Sequence, residues 1–133
     1  MFAGKRPKNL GVKDGELAPC PGKPNCVSSQ ADSARQRLRP LRFSGNYGAA
    51  MRRLREVVDN MSGTTLTDEN EHYLHFECAT KLLGFVDDLE FLCDADNELI
   101  HVRSASRLGY SDLGVNRKRV ESIQDTPVAV TAI

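Results

Sequence analysis

From residue 35 onward the apolar positions follow two periods in turn. Between residues 46 and 61, Tyr47, Ala50, Met51, Leu54, Val57, Val58 and Met61 recur at intervals of three and four, which places them on one face of an α-helix. Arg52, Arg53, Arg55, Glu56 and Asp59 take the other face. Ser44 or Asn46 can cap the start, and Ser62-Gly63 supplies a left-handed stop just past the last periodic residue. At Thr64 the period changes to two, predicting a short strand over 64–67, a turn over 68–71, and longer strands over 73–80, 85–93 and 98–106. An earlier strand is predicted over 38–43, where Leu38, Leu41 and Phe43 alternate with arginines.

Register follows from the requirement that apolar face meet apolar face, since a one-residue slip turns every side chain over. With four-residue loops at 81–84 and 94–97, Phe76 meets Leu89 and Leu89 meets Val102. The opposite face then carries two polar rows, His75, Glu90, His101 and Glu77, Asp88, Arg103. A solvated polar face with favourable cross-strand pairs explains them better than a metal site, because a flat exposed sheet offers no cavity. No metal and no cofactor is expected.

Before the periodic region, residues 1–34 hold four of the six prolines (Pro7, Pro19, Pro21, Pro24) and little apolar pattern. They read as an extended arm lying over a domain formed by 35–133. After it, 108–111 is turn-like. A helix is expected over 112–124, with Ser111 as its cap, Asp112 at its positive end, and Leu113, Asn116, Arg117, Val120 and Ile123 facing inward. Residues 125–133 are apolar enough for a last strand. The fold class is α+β, a single domain in which an antiparallel sheet packs against an amphipathic helix.

Composition narrows this picture. A chain of 133 residues can bury one core without staples, so its four cysteines are not needed for stability. Low, unpatterned cysteine usage suits a reducing cytoplasm, and no apolar run approaches the roughly 20 residues of a spanning helix. The expected location is therefore cytoplasmic. Lys plus Arg and Asp plus Glu are each 18, so no overall field draws the protein to nucleic acid or a membrane, and neither is expected as a partner. Nucleotide-binding loops, G-x-S-x-G and H-E-x-x-H are absent.

The densest chemistry lies in 103–119. There a strand end, a glycine turn and a helix start bring Arg103, Arg107, Tyr110, Ser111, Asp112, Asn116 and Arg117 near Asp87, which alternation puts on the apolar face. Arginines and free backbone N–H groups suit a carboxylate or phosphate. In the alternative, Arg103 and Arg107 pair with Asp87, Asp88 and Asp112 and simply lock the corner. Asp87 needs a partner in either case, and Arg107 or the Ser111 region is nearest along the chain. Cys20 and Cys26, with five residues between them, are spaced too widely for a usual zinc knuckle or a C-x-x-C redox pair. They stand as a disulfide or a thiol pair.

Two segments carry a resemblance. Pro19-Cys-Pro-Gly-Lys-Pro-Asn-Cys-Val-Ser-Ser29, and Gly84-Phe-Val-Asp-Asp-Leu-Glu-Phe91 running on to the stretch from His101 to Arg119, resemble the domain of unknown function 1499 family of bacteria and plastid-bearing organisms. The resemblance implies no activity. It singles out Cys20, Asn25, Cys26, Asp87, Asp88, Arg103, Ser104, Ser106, Arg107, Tyr110, Ser111, Asp112, Asn116 and Arg117, and it implies that some members carry an export or anchor segment.

The leading functional expectation is a small binding module, with the corner receiving an anionic small molecule or a partner's carboxylate. The competing readings are a ligand-free structural or protein-interaction domain, an enzyme using Asp87 as base at the same corner, and redox sensing through Cys20 and Cys26. The balance leans away from an enzyme.

Overall fold

A computed structural model describes residues 4–80 and 84–126. The elements run β1 (Val12–Lys13), β2 (Glu16–Leu17), β3 (Cys26–Ser28), β4 (Leu41–Arg42), α1 (Tyr47–Asp59), β5 (Thr64–Asn70), β6 (Tyr73–Ala79), β7 (Val86–Asp94), β8 (Leu99–Ser106) and α2 (Val115–Gln124). Strands β5 to β8 form an antiparallel meander, and β3 and β4 both pair antiparallel with the outer side of β8 to complete a six-stranded sheet. This is an α+β domain. Of the last strand expected over 125–133, Asp125 instead ends α2, and residues 127–133, like 81–83 of the 81–84 loop, lie outside the described residues.

The α1 periodicity translates directly into packing. Ala50, Met51, Leu54 and Val58 are buried against Leu74, Phe76, Leu89 and Phe91, and Phe76 and Phe91 meet edge to face at 6.3 Å. Asn46 caps the helix by accepting the Ala49 N–H at 2.9 Å. Gly63 takes φ +82°, and a Cβ there would lie 2.5 Å from the Ala79 carbonyl oxygen, so only glycine lets β5 come this close to β6. The second helix, α2, covers the same face and adds Val120 and Ile123 to the core.

Register holds between β6 and β7, with Phe76 opposite Leu89. Between β7 and β8 it differs from the expectation by two residues. Leu89 faces Ser104, and Glu90 faces Arg103. A two-residue slip keeps every side chain on its face, so apolar alternation cannot detect it. The turn decides instead, because Asp94 accepts hydrogen bonds from the Asn97 backbone and side chain at 3.4 and 2.8 Å. The loop therefore occupies residues 95–98, with Asp94 opposite Leu99. The corrected polar row is His75, Glu90, Arg103. His101 lies opposite Leu92 and is bonded to the Ser29 hydroxyl at 3.0 Å.

The arm does more than lie across the domain. Cys26–Ser28 enters the main sheet as β3, and β1 and β2 form a hairpin whose Asp14-Gly15 turn supplies the two positive φ values, 54° and 75°, of a type I′ connection. The hairpin and its flanks cover the sheet face opposite the helices, where Gly11 and Pro19 bond to Glu90 and Arg103. The polar face is accordingly buried, not solvated as alternation alone implies. His75 and Glu90 are fully inaccessible and Asp88 is 1% exposed.

Cys20 and Cys26 are joined by a disulfide that ties the arm to the start of β3. Cys78 and Cys93 are free and buried, and loss of water raises each thiol to about 11. Thiol titration should therefore find two reactive thiols in the denatured, unreduced chain and four after reduction. The reduced protein should unfold at lower urea, with a loss of about 2 kcal/mol from reopening so short a loop.

Candidate functional site

Adjacent residues of a strand point to opposite faces, and this divides the residues expected at one corner into two buried networks and an exposed turn. On the arm face, Arg107 donates from Nε to Asp88 Oδ2 at 2.8 Å and from a terminal nitrogen to Asp88 Oδ1 at 2.8 Å and Glu77 at 2.6 Å. His75 Nε2 meets Asp88 Oδ1 as well, at 2.7 Å. An ionised carboxylate only accepts, so Nε2 carries a proton, and in the neutral ring the Thr67 hydroxyl donates to Nδ1. Burial pushes the Asp88 carboxyl up, but the hydrogen bonds and charges of Arg107 and His75 outweigh it and leave the group below its ordinary value of 3.8.

Glu90 organises the rest of that face. Its Oε2 accepts from the Gly11 N–H at 2.8 Å and the Tyr73 hydroxyl at 2.5 Å, and its Oε1 receives Arg103 at 3.5 Å. Burial and the neighbouring Glu90 charge push the Tyr73 phenol well above its ordinary value. Arg103 reaches on to the Pro19 carbonyl at 3.3 Å. Its Nε and the Asn25 side-chain oxygen have no hydrogen-bond partner among the described residues, although both side chains are buried.

The helix face holds Asp87, Ser104, Ser106, Asn116 and Arg119. Arg119 reaches Asp87 at 2.8 Å, Asn116 Oδ1 at 2.8 Å and the Ser104 hydroxyl at 3.1 Å. The partner of Asp87 is thus Arg119, not Arg107 or the Ser111 region. Arg107 shares its face with Asp88 and cannot reach across the sheet. Burial still holds the Asp87 carboxyl above 3.8, with Arg119 and Ser106 pulling the other way. Asn116, fully buried, donates to Ser106 at 2.9 Å, Asp112 at 2.7 Å and the Asn25 carbonyl at 3.3 Å, and accepts from Ser104 at 2.7 Å. It joins the sheet, α2 and the arm. Arg119 was missed by the spacing argument, yet it stands three positions after Asn116, on the same helix face.

The start of α2 also differs from the expectation. Leu113 and Gly114 take φ values of +55° and +82°, so the helix cannot begin at 112 and opens at Val115. The cap position is Gly114 in place of Ser111, and Asp112, two residues before it, accepts the Gly114 and Asn116 N–H groups at 2.8 and 3.1 Å on its carboxylate and the Val115 N–H at 3.2 Å on its carbonyl. The Ser111 hydroxyl takes the Leu113 N–H at 3.2 Å. The backbone donors expected to meet an anion are therefore occupied from within.

Beside this turn lies a groove of about 420 Å³ between the disulfide loop (Lys23, Pro24, Cys26), Arg35, and the turn at Tyr110 and Ser111 with Arg117. Arg117 holds the groove wall by donating to the Arg35 and Arg37 carbonyls at 2.9 and 3.2 Å. Lys23 and Arg35 are exposed. None of these three cations has a carboxylate partner among the described residues. Asp87 does not line this groove. No group of three or more His, Cys, Asp or Glu side chains is arranged to hold a metal ion among the described residues.

With that geometry in view, comparison by sequence is decisive for family. Residues 16–126 match the model of a family described as protein of unknown function, DUF1499. The chain belongs to the DUF1499 family. No curated protein and no solved structure matches it. The matched span takes in the disulfide loop, the groove and, apart from Gly11, both buried networks of this DUF1499 protein. No helix among the described residues is long and apolar enough to cross a membrane.

The arm-face network makes a quantitative prediction. Removing Arg107 leaves Asp88 buried without its principal partner, so Arg107→Ala should lower unfolding free energy by about 3–5 kcal/mol in urea titrations at neutral pH. Because the folded Asp88 pKa is lowered, its stabilisation is fully present above the ordinary value of 3.8 and is lost as pH falls through the lower folded value. In Arg107→Ala, stability should consequently fall less steeply through that acid range than in the wild type.

Proposed function

We propose that the protein is a small binding module whose groove between the disulfide loop and the 110–117 turn receives an anion, either the carboxylate or the phosphate of a ligand. The observation carrying this reading is that Lys23, Arg35 and Arg117 converge on one groove with no carboxylate partner among the described residues. Cations left unpaired beside a concave surface favour an incoming anion. Zero net charge over the chain does not oppose this, since binding responds to the local field. Arg117 supplies charge and Tyr110 and Ser111 supply hydrogen-bonding groups. Asp112 also lines the groove, with its carboxylate engaged by the Gly114 and Asn116 N–H groups, while Arg103, Arg107 and Asn116 belong to the two interior networks, so the expected corner divides into a lining and a scaffold.

Asp87 as a general base is less well supported. It is 2% exposed, sits beneath α2 and is engaged by Arg119. The disulfide supports an oxidising compartment for the working protein, because such bonds are rare where glutathione and thioredoxin keep thiols reduced. This reading stands against the cytoplasmic location expected from cysteine usage and the lack of a spanning apolar run.

Inorganic phosphate or succinate, added at millimolar concentration, should raise the thermal midpoint of the wild type, as any ligand bound only by the native state must. Lys23 and Arg35 are exposed and make no side-chain bond among the described residues, so the double variant Lys23→Ala, Arg35→Ala should keep its midpoint without ligand. It should also lose the anion-induced shift. A shift that persists in that variant would refute the groove as the binding site.

A further inference from the structure

The turn beside the groove carries a second feature that anion binding does not explain. Leu108 is 40% exposed, Tyr110 69%, Leu113 88% and Val115 41%. All four lie within one short stretch of chain, and they are four of the five large hydrophobic side chains that are exposed among the described residues. Leu113 is doubly unfavourable. Its backbone occupies the left-handed region at φ +55°, where asparagine or glycine is at ease and leucine is not. Its side chain meets nothing that would compensate. Strain of this kind in a native structure points to a use outside the fold.

The shape of the feature selects the occupant. An apolar side chain standing out from a turn at 88% exposure is convex, and a protein partner would need a matching pocket for it. The boundary between lipid headgroups and acyl chains accepts such a tip without shape complementarity. Tyr110 has the amphipathic ring favoured at that boundary. Lys23, Arg35 and Arg117 line the adjoining groove, and Lys118 is exposed on the next position of α2, so cations flank the tip. The nearest carboxylate in sequence, Asp112, is turned onto the backbone N–H groups of α2 and presents little repulsion.

We infer that the 108–115 turn docks on an anionic membrane surface, inserting Leu113 and Tyr110 while the groove cations hold lipid phosphate. This deepens the anion-binding reading and rests on it, since lipid phosphate is there the ligand. Local charge accounts for the attraction where the balanced overall charge does not.

The test is co-sedimentation of the full chain with vesicles of phosphatidylglycerol or of phosphatidylcholine, alongside the thermal shift with inorganic phosphate. The wild type should bind phosphatidylglycerol at least about tenfold more tightly than phosphatidylcholine, and should be released by salt that shortens the Debye length to about 3 Å. Leu113→Asn removes the apolar tip and suits the left-handed backbone, so its midpoint should equal or exceed that of the wild type. It should weaken vesicle binding about tenfold or more and leave the phosphate shift intact. A phosphate shift without binding to anionic vesicles would overturn the membrane inference and leave the groove reading standing. Failure of both would overturn both. Vesicle binding that ignores lipid charge, or that survives in Leu113→Asn, would also overturn it.

Discussion

An ionised side chain can leave water only with a partner, and this constraint organises the molecule. Asp88, Glu90, Arg103 and Arg107 occupy the sheet face opposite the helices, where an ordinary two-layer domain would be wet. Each carboxylate there is met by an arginine, and Asp88 and Glu90 by His75 and Tyr73 as well. The arm completes the arrangement through the Gly11 N–H and the Pro19 carbonyl. It therefore acts as a third layer of the fold. The disulfide at its end has a clear mechanical sense, holding the last turn of the cover to the strand beside β8.

The same constraint separates scaffold from surface. Arg103, Arg107 and Arg119 belong to interior pairs, and Asn116 saturates itself among five neighbours. Their demands are met inside the protein. Lys23, Arg35 and Arg117 differ, because no carboxylate answers them among the described residues. In a chain with equal numbers of positive and negative side chains, this uneven distribution is the physical basis for seeking function at the groove.

Much of the fold was legible in the pattern of the chain. Three-and-four spacing located α1, alternation located β6 to β8, and apolar matching set Phe76 against Leu89. Matching failed at β7 and β8 because a slip of two is invisible to a period of two, and Asp94 chose between the registers. Burial of the polar face was not legible, since alternation says which side chains share a face and nothing about what covers it. The residues expected at the corner come from one region of sequence, but parity already separates Asp87 from Asp88. Following it would have sent Arg107 to the arm face and left Asp87 to a helix residue such as Arg119. The left-handed pair Leu113 and Gly114, which delays α2, had a signal only in the glycine.

The central claim is that the arm is a structural layer closing over paired charges, and the Gly11 amide reports on it most directly. This N–H donates to Glu90 at 2.8 Å from a segment with no regular structure of its own. Hydrogen exchange followed by NMR should find it protected to the same order as the amides of β7, because both would open only with the cover or the whole domain. Exchange at the rate of an unstructured chain would contradict the account, leaving Glu90 and Asp88 open to solvent.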